Sequence, residues 1–146
     1  MTAALRTTSD VDILRTAIVL AMERLCFASP EAFLEEPPAA PALEAWVAFR
    51  GPSSGAVGIA LPRSAMGGFI EALLLPDMSA EGLTADDFVA ELANIVCGNA
   101  VPLIYGRNAS HVLSPPQLGR PREPAIATAV VELTGGWVAA TLHPAP

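Results

Sequence analysis

Asp87, Glu91, Asn94 and Gly98 are spaced to share one side of a helix. At about 100° per residue they fall within a stripe roughly 60° wide. Phe88, Leu92, Ile95 and Val96 lie away from that stripe and would face a core. The stripe offers solvent a carboxylate and a carboxamide one turn apart, with no side chain at Gly98 to obstruct approach. A carboxylate beside an amide can position a water and a cation, and the amide does this without titrating. The chemistry such a pair equips is hydrolysis on something docked against the helix. A Glu and an Asn at this spacing are also common on ordinary solvated helix faces, and the pair by itself favours that plainer reading.

The elements around the stripe must hold it outward. Thr84 caps the helix that bears it, with Asp87 at the third helical position as in a capping box; that helix must bend or end near Pro102. An earlier helix opens with the same cap spacing at Ser9 and Asp12 and carries apolar residues at Leu14, Ile18, Ala21 and Leu25 to about Cys26. Residues 28–44 are rich in Pro and Glu and read as an irregular surface connector. A hairpin follows, Ala45–Gly51 and Ala56–Leu61, around the turn-forming PSSG. A helix over Arg63–Leu75 is bounded by Pro62 and Pro76. After the stripe come a short strand near His111–Leu113, the pair Pro115-Pro116, and two strands, Ile126–Leu133 and Trp137–Leu142, joined by Thr134-Gly135-Gly136.

These elements make one α+β domain over residues 1–146, with helices packed on a largely antiparallel sheet. Its two halves, about 9–75 and 84–143, read as related helix-plus-hairpin units. Laying Asp12 on Asp87 puts Thr16 on Glu91 and Val19 on Asn94. "FRG…GAVGIAL" is echoed by "LTG…GWVAATL". The first helix therefore has the scaffold of the stripe without its chemistry, and a single site is expected.

Composition narrows the partners. The chain has 146 residues, 52% of them hydrophobic and only 5% aromatic, which suits one domain with an aliphatic core. Net charge is −7 and all 8 basic residues are Arg, scattered singly, an arrangement that argues against nucleic acid or an anionic membrane as partner. The apolar run Ile13–Met22 is too short to span a bilayer, and no basic segment leads into an apolar stretch. Cys26 and Cys97 sit on apolar helical faces, where free Cys is usually a small buried hydrophobe, so a reduced cytoplasmic protein is expected. His111, His143, Cys26 and Cys97 have no CxxC or HxxxH spacing, and no metal site is expected. Ser110 and His111 are adjacent and cannot by themselves form a nucleophile–base pair. Gly55-Ala56-Val57-Gly58 lacks the strand–turn–helix context of a phosphate loop.

The segment "ADDFVAELANIVCGN" resembles the signature helix of the CheC/CheX/FliY family of chemotaxis phosphatases, with an acid, a Glu and an Asn spaced as Asp87, Glu91 and Asn94 are here. The chain length, the related halves and the later "LSPP" segment are similar to the CheX branch, which keeps one site. Pro116 stands one residue early against the family pattern, either by a short deletion or because the loop bordering the site is reshaped. The resemblance implies a CheC-like fold and removal of phosphate from the aspartyl phosphate of a CheY-like receiver domain. Asn94 would orient the attacking water, and Glu91 would pair with the receiver's Lys. Asp87, Gly98, Pro115 and Pro116 would border the docked partner. No cofactor of the chain's own is implied, since Mg²⁺ would reside on the receiver. A homodimer is compatible with this work, because a sheet edge invites pairing. The alternative is a non-catalytic module that binds a protein or dimerises without turnover. For Asp87 the bland alternative is the capping duty already described, and for Asn99 an amide that anchors core or loop.

Overall fold

A computed structural model of the chain describes residues 2–26, 28–71 and 84–145, with side chains from residue 10 onward. In chain order the elements are α1 (Thr2–Cys26), β1 (Pro30–Leu34), β2 (Ala42–Arg50), β3 (Gly55–Pro62), a 3₁₀ turn (Arg63–Ala65), α2 (Met66–Glu71), α3 (Ala85–Tyr105), β4 (Val112–Leu113), β5 (Gln117–Leu118), β6 (Ala127–Leu133) and β7 (Gly136–Pro144). The expected α+β class is observed, with the helices laid against an antiparallel sheet. That sheet has 7 strands in the order β1-β6-β7-β3-β2-β4, and β5 also pairs with β2.

Strand alternation explains the layering. Leu43, Ala45, Val47 and Phe49 of β2 are buried, whereas Ala42, Glu44, Trp46 and Ala48 are only half-buried. Val57, Ile59 and Leu61 of β3 and Val138, Ala140 and Leu142 of β7 join them on the inner face, under the helices. α3 lies on β2 and β3, α1 on β6 and β7, and the two helices pack on each other. The opposite face has a smaller cluster of Val130, Trp137 and Ala139. Each helix is followed by an edge segment that crosses to the other hairpin. β1 pairs with β6, β4 and β5 pair with β2, and the hairpins meet through β3 and β7.

Three local expectations are corrected and a fourth, the end of α3, is met. α1 does not start at Ser9; it runs from Thr2, because no Pro or Gly interrupts the preceding residues and Ser9 falls inside the helix. The connector 28–44 is not irregular throughout, since Pro30–Leu34 pairs with β6 even though its side chains are mostly exposed. Its strand character comes from the unpaired backbone edge of β6, which no side-chain pattern announces. α3 ends at Tyr105, within one turn of Pro102 as expected, with the proline itself inside the helix. Pro102 withholds the N–H that would bond the Gly98 carbonyl, but Gly98 is exposed, where that loss costs little. The chain turns out of the helix at Gly106, whose φ of 100° suits glycine and whose N–H bonds the Pro102 carbonyl. The helix expected over Arg63–Leu75 is a 3₁₀ turn and the short α2 as far as Glu71, and its remaining residues, 72–75 with Pro76, lie outside the described residues.

A loop over residues 119–125 straps the outer sheet face and covers a cavity of about 440 Å³. Arg120 Nε donates to both carboxylate oxygens of Glu44, at 2.6 and 2.8 Å. His143 is buried, and its Nδ1 lies 2.7 Å from the Glu123 carbonyl. A carbonyl can only accept, so Nδ1 carries the proton and Nε2 accepts from the Thr141 hydroxyl at 2.7 Å. Gly58 makes room for this pair, since a Cβ there would stand 2.6 Å from Thr141 Oγ1. His143 is therefore a satisfied structural histidine that pins the strap.

Candidate functional site

α3 begins as its sequence requires. The Thr84 hydroxyl accepts from the Asp87 N–H at 3.0 Å, and the Asp87 carboxylate accepts from the Thr84 N–H at 3.3 Å, a reciprocal capping box. Phe88, Val89, Leu92, Ala93, Val96, Cys97, Ala100 and Val101 are buried along the inner side of the helix. Truncating a residue such as Leu92 would cost about 2–5 kcal/mol, so the helix is held in one rotation about its axis. That rotation leaves Asp87, Asn94 and Gly98 exposed and Glu91 half-buried, on one side of the helix.

The polar side chains of α3 divide by duty. Among the described residues, those that bond within the protein are Asp87, in the cap, and Asn99, whose Nδ2 donates to the Ala17 carbonyl of α1 at 3.5 Å. Asn99 is half-buried and ties the two helices together, an anchoring amide. Glu91 and Asn94 are not among those bonded. An exposed amide beside a half-buried carboxylate can accept a hydrogen bond from a water and donate another, while the carboxylate meets a cation.

The border of this face comes from the other side of the fold. A Cβ built on Gly98 would stand 4.0 Å from Leu113 Cδ1, so Leu113 of β4 flanks the Gly98 end. Leu113 leads into Ser114 and then Pro115, which is exposed, and Pro116, which is half-buried. Leu113 and Ser114 were not singled out by sequence reasoning, and the signal that could have found them is the Pro-Pro break that follows a short strand.

Other chemistry-bearing residues are accounted for within the fold. Burial pushes the Cys26 thiol up to about 11 and the Cys97 thiol up to about 12, so both are inert hydrophobes. His111 packs tilted on Tyr105 and edge-on against Phe49, at ring separations of 5.4 and 5.8 Å, with its Nε2 buried and unpartnered among the described residues. Burial, and then nearby Asp10, raise the Tyr105 phenol, which places Asp10 of α1 beside the end of α3. Among the described residues no group of three His, Cys, Asp or Glu side chains could hold a metal ion.

Helices packed on a seven-stranded antiparallel sheet make a CheC-like fold. The sequence matches the family described as Chemotaxis phosphatase CheX over residues 43–132, from β2 almost to the end of β6, and the chain belongs to that family. The fold is similar to CheX from Desulfovibrio desulfuricans, at 13% identity and a TM-score of 0.66, with 91% of this chain and 97% of that chain covered. CheX from Vibrio vulnificus is similar at 14% identity and a TM-score of 0.65, covering 92% and 95%. The third relative is CheX from Borrelia burgdorferi, solved as a CheX–CheY–BeF₃–Mg²⁺ complex, at 12% identity and a TM-score of 0.65, covering 91% and 96%. No curated protein matches the sequence significantly.

Proposed function

We propose that this chain dephosphorylates the aspartyl phosphate of a CheY-like receiver domain, with Asn94 orienting the attacking water and Glu91 meeting the receiver's Lys. The observation that carries this reading is the exposure of Asn94 beside Glu91 on the outer side of α3, with the open Gly98 next to them. Membership of the CheX family and the existence of a CheX–CheY complex in Borrelia burgdorferi support the choice of partner. Beryllofluoride in that complex stands in for the phosphoryl group.

In this reading the Asn94 amide oxygen accepts a hydrogen bond from a water placed in line with the acyl-phosphate bond. The water oxygen bonds to phosphorus as the bond to the Asp carboxylate oxygen breaks; the water's proton leaves with the phosphate. Phosphoryl transfer needs positioning and charge stabilisation more than a strong base, and Mg²⁺ and cationic groups belong to the receiver. Asp87, Gly98, Pro115 and Pro116 border the docked partner. The work is cytoplasmic, and a homodimer through a sheet edge is compatible with it.

The test mixes the protein with phosphorylated receiver and Mg²⁺ and follows loss of the phosphoprotein. N94A and E91A are each expected to slow that loss by about a hundredfold, the scale of a misplaced reacting group. Binding of the receiver with no phosphate release would instead mark a docking module. Because an amide does not titrate, the contribution of Asn94 is expected to stay nearly constant across neutral pH.

A further inference from the structure

The edge segment beside α3 is a strand that pauses. β4 pairs Leu113 with Phe49, and β5 resumes with Gln117 opposite Trp46. Between them Pro115 and Pro116 have no N–H to give the ladder, and Ala48 of β2, just before the break, needs partners for its N–H and its carbonyl. Ser114 supplies both. Its N–H donates to the Ala48 carbonyl at 2.8 Å, and its hydroxyl accepts from the Ala48 N–H at 2.9 Å. The same hydroxyl donates to the Pro115 carbonyl at 3.3 Å, tying it to the turn that follows. One side chain thus stands in for a missing strand carbonyl and carries the edge across the Pro-Pro break.

What this clamp holds is the border of the Glu91–Asn94 face. Leu113 directly precedes Ser114 and is the residue that approaches Gly98. Between β4 and β5, both paired with β2, the bonds that tie residues 114–116 to β2 among the described residues are the two made by Ser114. We propose that Ser114 is a positioning residue for the phosphatase reaction: it locks the 113–116 segment to β2, so that Leu113 and Pro115 form a fixed wall against which the receiver docks. The proposal rests on the phosphatase reading and deepens it by assigning the residue that sets docking geometry without touching phosphate.

The experiment compares wild type, S114A and S114T for dephosphorylation of a receiver that the wild type turns over. Binding of that receiver loaded with beryllofluoride and Mg²⁺ is measured in parallel, and N94A is the control for chemistry. S114A is expected to raise KM and weaken binding by about tenfold, an effect of a displaced docking wall, while kcat stays within about twofold. S114T keeps the hydroxyl and should restore wild-type values. N94A shows the opposite split, with kcat lost and binding kept. S114A with unchanged KM and binding, beside an N94A that has lost kcat, overturns the role of Ser114 alone. N94A indistinguishable from wild type overturns the phosphatase reading on which it stands. If S114A lowers kcat and thermal stability together with KM unmoved, the serine is merely structural and the proposal fails.

Discussion

α1 and α3 bury the same register and expose different chemistry. With Asp12 laid on Asp87, the buried α1 residues Leu14, Ala17, Ile18, Ala21, Met22, Leu25 and Cys26 fall on Val89, Leu92, Ala93, Val96, Cys97, Ala100 and Val101, all buried. The outward positions differ. Glu91, Asn94 and Gly98 on α3 correspond to Thr16, Val19 and Glu23 on α1. The flanking segments differ as well. Over α1, the Arg15 guanidinium lies 5.0 Å from the Phe33 ring of β1, and Pro30 and Phe33 wall a groove with Thr16 and Val19. Beside α3, Leu113 flanks the Gly98 end, and among the described residues Asn94 and Gly98 stay exposed. A shared packing pattern therefore sets where a helix face points, while a few outward residues and the adjoining edge strand decide whether that face can receive a partner.

The largest effect should separate the two faces outright. N94A is expected to lose about a hundredfold in phosphate release, whereas T16A and V19A should leave it within experimental error. Placing T16E and V19N on α1 in the N94A background should recover nothing, because Phe33 and Arg15 occupy the approach to that face. Recovery of phosphate release by the graft, followed as decay of the phosphoprotein, would break the comparison. It would mean that residue identity suffices and the flanking strand is irrelevant.

The fold was legible where side-chain patterns report it. Alternation in β2, β3, β6 and β7 and the helical period of α3 announce elements that bury one face, and the Thr84–Asp87 cap marks where α3 starts. Elements held by backbone alone were not legible. β1 has exposed side chains and exists because β6 offers an unpaired edge, and β5, also exposed, pairs through its backbone with β2 beyond the Pro115-Pro116 break. Ser9 looked like a cap because cap chemistry and a helix-interior Ser are the same letters; only the uninterrupted backbone before it decides. The stripe itself was readable as spacing, but the wall beside it is contributed by a residue, Leu113, distant in sequence.

A second contrast lies in the two cysteines, one on each helix. Burial raises Cys97 to about 12 and Cys26 to about 11, from an ordinary 9.0. Both thiols stay protonated at pH 8, but Cys26 keeps 5% of its surface exposed and Cys97 none, so iodoacetamide should modify native Cys97 more slowly than Cys26. Both should react quickly in urea. Both folded values lie above the unfolded one, so this stability is fully present below pH 9.0 and is lost as pH rises toward 11 and 12. Equal native rates, read by mass spectrometry of the alkylated peptides, would show that the end of α1 is as closed as the middle of α3.

The smallest contrast is between the two acids that the overlay superposes. Asp87 closes a capping box at a true helix start, whereas Asp12 sits within α1 and meets Arg15 at 3.3 Å in an exposed pair. A helix start leaves N–H groups without partners, and a helix interior does not. D87A should therefore cost about 1 kcal/mol in urea unfolding, and D12A no more than about 0.5 kcal/mol. D87N keeps an oxygen for the Thr84 N–H and should lose less than D87A. The same variants sharpen the functional reading. If Asp87 only caps the helix, D87A and D87N should leave receiver binding unchanged once the folded fraction is matched. A D87N that folds like wild type yet binds the beryllofluoride-loaded receiver several-fold more weakly would show that the carboxylate itself faces the partner, as proposed for Asp87 at the border of the docked receiver.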